Sequence, residues 1–225
     1  MNSAALFDLD GTVMDTPAAI VASLTEMITP YGVAHPEPVL RAQIGRPLDS
    51  IVDTLLPEAT VVDRDEAKQR FRVSFSAQTL PDARHLIHPG VSELLEHLRG
   101  NGVAIAIVTS KITPSAIELL LAAGIREAFD TIVGHDQVQY GKPHPDLALL
   151  AAARLDVAPA FCVVIGDSTD DIRMGIVAGM PTVGVAWGVS EAAALTDAGA
   201  NLVAADLNSL TAELDRMLLK TGTSA

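Results

Sequence analysis

Two aspartates, Asp8 and Asp10, end an apolar run and are followed at once by Gly11 and Thr12. On an extended segment residues i and i+2 point the same way, so the two carboxylates should converge at the C-terminal end of a strand. In open α/β sheets that edge is where ligands bind. Two like charges so close are costly unless a cation neutralises them or one is protonated, and either arrangement is chemically useful. The plain alternative is an Asp-Gly turn with solvated acids. A calcium loop does not fit, because the glycine follows Asp10 directly and the late Glu of an EF-hand is missing.

A second acidic group, Gly166-Asp167-Ser168-Thr169-Asp170-Asp171, also leaves an apolar run and opens a helical pattern. Asp167, brought to the same sheet edge as Asp8, would suit Mg²⁺, which takes one or two carboxylates and keeps water or phosphate oxygens. Ser168 or Asp170 could instead cap the helix, and acids in a first turn are stabilised by the macrodipole whatever their function. The two uses do not exclude each other. Thr109-Ser110-Lys111 stands at a third strand exit, where hydroxyls and backbone N–H groups make a seat for phosphate oxygens; by itself it is an ordinary strand end. In Gly141-Lys142-Pro143-His144-Pro145 the glycine and prolines restrict the loop that carries Lys142. A lone lysine is usually a solvated charge, but several carboxylates meeting one phosphate need a permanent cation beside a metal.

Other chemistries find no support. His35, His88, His97, His135 and His144 lack metal-ligand spacing and read as surface or turn residues, and nothing is assigned to His85. There is no G-x-S-x-G elbow, no G-x-x-x-x-G-K-[ST] phosphate loop, no G-x-G-x-x-G and no C-x-x-C.

These four groups need a scaffold that gathers them. Short apolar runs at Ala4 to Leu9, Val103 to Val108, Thr131 to Val133, Phe161 to Ile165, Thr182 to Ala186 and Leu202 to Ala204 read as buried strands. From Val91 onward helical patterns alternate with them, predicting a doubly wound parallel sheet of the α/β class. Thr113 with Pro114 reads as N-cap and first helical residue, Gly124 ends that helix, and Ser168 and Gly179 bracket another. From Thr16 to about Leu80 the periodicity is helical with no convincing strand: Thr16-Pro17 starts one helix, and Val61 to Phe75 supplies another. This predicts an inserted all-α domain over 16–84 and a core made of 1–15 and 85–225, with Leu80 to Pro89 as one linker.

The chain has 225 residues, 49% of them apolar, enough for a full core. Its mean hydropathy of +0.33 suits buried parallel strands and well-packed helices. A net charge of -13 without any Lys/Arg run argues against nucleic-acid or anionic-membrane binding. A small anionic substrate would need a metal or a few placed cations. The single cysteine, Cys162, excludes an intrachain disulfide and fits a reducing cytoplasm. The start, MNSAALFDLDG, lacks the features of a secretory signal, and no apolar run approaches the ~20 residues that span a bilayer.

In order, DLDGT, VTSK, GKPHP and GDSTDD resemble the motifs of the haloacid dehalogenase superfamily of phosphotransferases. With the helical insertion after the first motif, and with HPGVSELLEHLRGNG, AGM and VGVAWG around the later ones, the chain resembles the phosphoglycolate phosphatase and β-phosphoglucomutase branch over nearly its whole length. The resemblance is weak across the insertion. It implies that Asp8 is the nucleophile and Asp10 the general acid, then base. Thr109 would hold the transferring phosphoryl group and Lys142 would neutralise charge on it and on Asp8. Mg²⁺ would be held by Asp8, the backbone carbonyl of Asp10, and Asp167, with Asp171 in support. Gly11, Thr12 and Ser110 would lie around the phosphate, and Arg46 at the far end of the substrate. Val13 stands where Leu is usual and Thr16 where Ser is common, and neither puts the chemistry in doubt. An acid at position 10 argues against the dehalogenases themselves.

The expectation is a phosphatase for a small phosphomonoester, phosphoglycolate-like or a sugar phosphate, acting as a monomer or homodimer. An inorganic pyrophosphatase or a β-phosphoglucomutase-like transferase is the alternative. A phospho-acceptor signalling domain is remoter, since its acid pair is adjacent, its acceptor lies on a later strand, and it needs no helical insertion.

Overall fold

A computed structural model describes residues 3–219. Its strands, β1 (Ala4–Phe7), β2 (Ala104–Thr109), β3 (Thr131–Gly134), β4 (Cys162–Gly166), β5 (Thr182–Val185) and β6 (Leu202–Ala204), form one parallel sheet in the order β3-β2-β1-β4-β5-β6. The sheet reverses direction of growth at β1, which pairs on one side with β2 and on the other with β4. A crevice therefore opens beyond the C-terminal ends of these three strands, and Asp8, Thr109 and Asp167 stand at them.

Helices follow in the order α1 (Pro17–Ile28), α2 (Glu37–Arg41), α3 (Leu48–Leu55), α4 (Val61–Thr79), α5 (Val91–Gly100), α6 (Thr113–Ala123), α7 (Asp146–Leu155), α8 (Thr169–Val177), α9 (Ala192–Asp197) and α10 (Leu207–Leu218). Strand alternation sorts the core into two layers. Ala5 and Phe7 of β1 join the apolar cluster that holds α5, α6 and α10, whereas Ala4 and Leu6 join the cluster of Leu147, Ala148 and Ala151 from α7 and Met174 from α8. Both faces are covered, which is why β1 tolerates no polar residue until Asp8. Cys162 is buried in the second layer, and burial pushes its thiol up to about 11, out of reach of thiolate chemistry at neutral pH.

The segment between β1 and α5 is helical, as its periodicity predicts. The two connections that carry it run side by side: Asp15 N–H donates to the Leu86 carbonyl at 2.6 Å, His88 N–H to the Val13 carbonyl at 3.1 Å, and Met14 bridges to Ile87. α1 packs along α4, burying Ile20, Leu24 and Met27 on one face and Phe71 and Phe75 on the other. Among the described residues no helix is long and apolar enough to cross a membrane.

Three local expectations change. β1 stops at Phe7 instead of Leu9, because the chain turns there: the N–H groups of Val13 and Met14 both return to the Leu9 carbonyl. β4 starts at Cys162, since Phe161 belongs to a 3₁₀ turn. The N-cap of α6 is Ile112, not Thr113. Ile112 has no side chain to cap with, and Asp136 does that work from the turn after β3, accepting from Thr113 N–H at 2.6 Å and from its hydroxyl at 2.8 Å.

Candidate active site

At the sheet edge the Lys142 ammonium lies 2.6 Å from Asp8 Oδ1 and 2.6 Å from Asp171 Oδ1, with its side chain only 1% exposed. Asp8, Asp167 and Asp171 are all buried, and each offers an oxygen within 4.8 Å of the others. Their neighbours fix them. Asp167 accepts from the Thr12 hydroxyl at 2.8 Å and from Val189 N–H at 2.8 Å. Asp171 closes a capping box on α8, accepting from Ser168 N–H and hydroxyl at 3.1 and 2.6 Å while Ser168 caps the helix in return. Capping and participation in the acidic cluster thus coincide, as the alternatives allowed.

Close approach explains two glycines. Gly11 sits at φ +86, and a Cβ there would fall 2.4 Å from Asp167 Oδ2; at Gly188 it would fall 2.1 Å from the Asp167 Cβ. Neither position can carry a side chain without displacing the carboxylate.

Three carboxylates share one buried ammonium, and the electrostatics register the imbalance. Burial drives the Asp8 carboxyl well above its ordinary range; Lys142 pulls the other way, while Asp171, Asp167 and Asp10 add to the rise. Burial and the charge on Asp171 push Asp167 up to about 7, against the hydrogen bonds from Val189 and Thr12. For Lys142 burial would lower the value, but Asp171 and Asp8 together outweigh it and hold the ammonium above its usual range. Buried oxygen donors in excess of cations are what a hard divalent ion satisfies. The residues present fit such an ion.

Asp10 lies apart from that cluster. Its Oδ1 accepts from the Thr16 hydroxyl at 2.6 Å and its Oδ2 lies 3.0 Å from the Lys111 ammonium. The chain turns on the Leu9 carbonyl just before it, and Asp8 and Asp10 line one cleft, as their placement at the end of one apolar run predicts. Thr16 begins α1 without capping it, its hydroxyl being engaged by Asp10. Thr109 is buried at the end of β2, and its hydroxyl accepts from Lys111 N–H at 3.2 Å. Thr12 faces Asp167, and the Ser110 hydroxyl donates to the Gly45 carbonyl of the helical segment at 2.5 Å. Arg46 lines the cleft but is exposed, and its guanidinium donates to Gln43 Oε1 at 2.8 Å and to the Ser50 hydroxyl at 3.0 Å.

Sequence reasoning quoted Lys111 without a role, gave none to Gly188 or Phe75, and read His135 only as a surface or turn residue. The spacing of Lys111, two residues beyond Thr109 at a strand end, was an available signal; nothing in the sequence marks Phe75 as part of a cleft. His135, in the 3₁₀ turn His135–Gln137, and His88, whose carbonyl accepts from Val91 N–H in the turn before α5, are turn residues as expected, but both are partly buried. His135 lines the cleft, and His88 is half-buried with its ring 6.1 Å from that of Trp187, where burial lowers its pKa.

A sheet of this order, with buried acids and a lysine at its switch point beneath a helical insertion, defines a phosphotransfer-type α/β enzyme. The chain belongs to the haloacid dehalogenase-like hydrolase family, which it matches over residues 5–185. It is 39% identical over 191 residues to "Probable phosphatase IndB" of Dickeya dadantii (strain 3937), covering 84% of this chain and 83% of that one. It is 30% identical over 226 residues to the phosphoglycolate phosphatase of Shigella boydii serotype 4 (strain Sb227), covering 91% and 89%. A solved hydrolase from Pseudomonas syringae superposes with a TM-score of 0.84 at 28% identity, covering 96% of this chain and 99% of that one. The chain is an enzyme, a phosphatase of this family.

Proposed function

We propose that the chain hydrolyses a small phosphomonoester, phosphoglycolate-like or a sugar phosphate, through an aspartyl-phosphate on Asp8 with Mg²⁺ as cofactor. The observation that carries this reading is the buried Asp8–Lys142–Asp171 array beside Asp167 at the sheet's switch point. An Asp8 oxygen attacks phosphorus as the ester P–O bond breaks, and Asp10 gives its proton to the leaving oxygen. Water then attacks the phosphorus of the acyl phosphate, Asp10 takes the proton from that water, and phosphate leaves with Asp8 restored. Lys142 holds charge on Asp8 and the phosphoryl oxygens, and Thr109 positions the transferring group. Asp8, the Asp10 backbone carbonyl and Asp167 would hold Mg²⁺, which when bound supplies charge stabilisation at the phosphoryl oxygens.

The helical segment over 16–84 acts as a cap on a core of 1–15 and 85–225. Its paired connections and the Ser110–Gly45 contact support this. Arg46, on the cap side of the cleft, faces the far end of the substrate. The partner is a small metabolite and not a nucleic acid, and the setting is a reducing cytoplasm, which the acidic charge and lone buried cysteine favour. A phosphate-release screen over 2-phosphoglycolate, hexose and pentose phosphates and pyrophosphate with Mg²⁺ tests the reading, with Asp8→Asn as blank. Many equivalents of phosphate from at least one monoester are expected. Turnover of pyrophosphate alone, or a single phosphorylation per chain, rejects it.

The acidic cluster also predicts a pH dependence. Between the ordinary carboxyl value and about 7, folded Asp167 binds a proton that the unfolded chain has released, so its contribution to stability is present at low pH and lost as pH rises through about 7. Metal-free protein should therefore melt several degrees lower at pH 7.5 than at pH 5, at about 2–4 °C per kcal/mol for a chain of this size. Added Mg²⁺ should raise the melting temperature, and more so at pH 7.5, because ligands must be deprotonated to bind it. Thermal melts in EDTA and in Mg²⁺ at both pH values decide the matter; a metal-free protein that is more stable at pH 7.5 contradicts it.

A further inference from the structure

We infer that Lys111 is the positioning residue for Asp10, and that through Phe75 it makes proton delivery by Asp10 depend on where α4 lies. The inference rests on the phosphatase reading above. A strand-exit lysine would ordinarily be solvated, but this side chain is 12% exposed and its ammonium has two partners from different parts of the molecule. One is Asp10 Oδ2 at 3.0 Å; the other is the face of the Phe75 ring on α4, 3.8 Å to the centroid.

The root of Lys111 is fixed as well, since its N–H donates to the Thr109 hydroxyl and its carbonyl accepts from His135 N–H at 2.9 Å. A flexible four-carbon stem is thereby held at both ends. Thr16, at the start of α1, takes the other oxygen of Asp10. Both oxygens of the acid thus answer to groups that meet the helical segment, one by sequence and one by an aromatic contact.

The consequence is mechanical and electrostatic. With α4 seated, the ammonium stands beside the oxygen on which negative charge develops as Asp10 passes its proton to the leaving alkoxide. With α4 withdrawn, Phe75 goes with it and the lysine tip returns to water, so Asp10 loses a partner until the substrate has drawn the helices in. Such coupling ties proton delivery to a filled, dry cleft.

The test is a leaving-group comparison read in kcat/KM, which reports steps up to the first transfer to Asp8. For Lys111→Met, kcat/KM on the best alkyl phosphate of the screen should fall by about 10²-fold, the scale of one general acid or one preorganised donor. On 4-nitrophenyl phosphate, whose leaving group departs without a proton, the fall should stay within about threefold, which also shows that the variant is folded. Lys111→Arg should recover most of the alkyl-phosphate activity. Phe75→Leu should show the same leaving-group signature at about tenfold, and adding it to Lys111→Met should cost little more. Equal losses on both esters, unchanged rates on both, or additive losses in the double variant overturn the inference alone. Wild-type protein inert toward every monoester overturns the phosphatase reading and this inference with it.

Discussion

Asp8→Asn is expected to lower phosphate release by on the order of 10⁴-fold or more while the fold is retained. The amide keeps an acceptor at the position of Oδ1, 2.6 Å from Lys142, so the local packing of β1 has no reason to change. What disappears is the nucleophile: an amide oxygen forms no stable acyl phosphate. Burial makes the native carboxylate expensive, as its raised pKa records, so the metal-free variant should melt at the same temperature as the native protein or above it. The stabilisation by Mg²⁺ should shrink, because one of three buried carboxylates has lost its charge. Paired phosphate-release assays and melts separate these outcomes. A variant that turns over its best ester at the native rate removes Asp8 from the chemistry altogether.

Lys142→Met should be the most damaging single change to stability, by about 3–5 kcal/mol, with a loss of phosphate release of on the order of 10²–10³-fold. The side chain is almost wholly enclosed and faces two carboxylates at 2.6 Å. Methionine fills similar space, so the cost comes from leaving Asp8 and Asp171 buried without their cation. The raised pKa of Lys142 keeps it charged in both folded and unfolded states below the ordinary lysine range, so its own titration adds no slope over pH 5–9. Any pH dependence of the variant's deficit must then come from the carboxylates. Lowering the pH to 5, or adding Mg²⁺, should return part of the lost melting temperature. An unchanged melting temperature in EDTA at pH 7.5 would show that the buried pair contributes nothing to the fold.

Much of this architecture is readable in one dimension because its causes are local. Buried parallel strands lack polar residues on either face, so runs such as Val103 to Val108 announce β2 within a residue of its ends. Pro17 and Ser168 mark helix starts by chemistry confined to a few neighbouring residues. The failures have a common cause. α6 is capped by Asp136, 23 residues away, and Thr16, which looks like a cap, is engaged by Asp10.

The sequence by itself determined the class of fold, the acids and lysine available to the site, and their placement at strand exits, because each follows from periodicity and punctuation over a few residues. Only the tertiary structure decided which of them meet. Lys142 reaches Asp8 across 134 positions, and Thr12 reaches Asp167 across 155. Those contacts exist because β1 lies between β2 and β4, a strand order that sequence periodicity does not encode. Lys111 against Phe75 depends further on how α4 sits over the sheet edge, and packing between distant surfaces leaves no spacing to read.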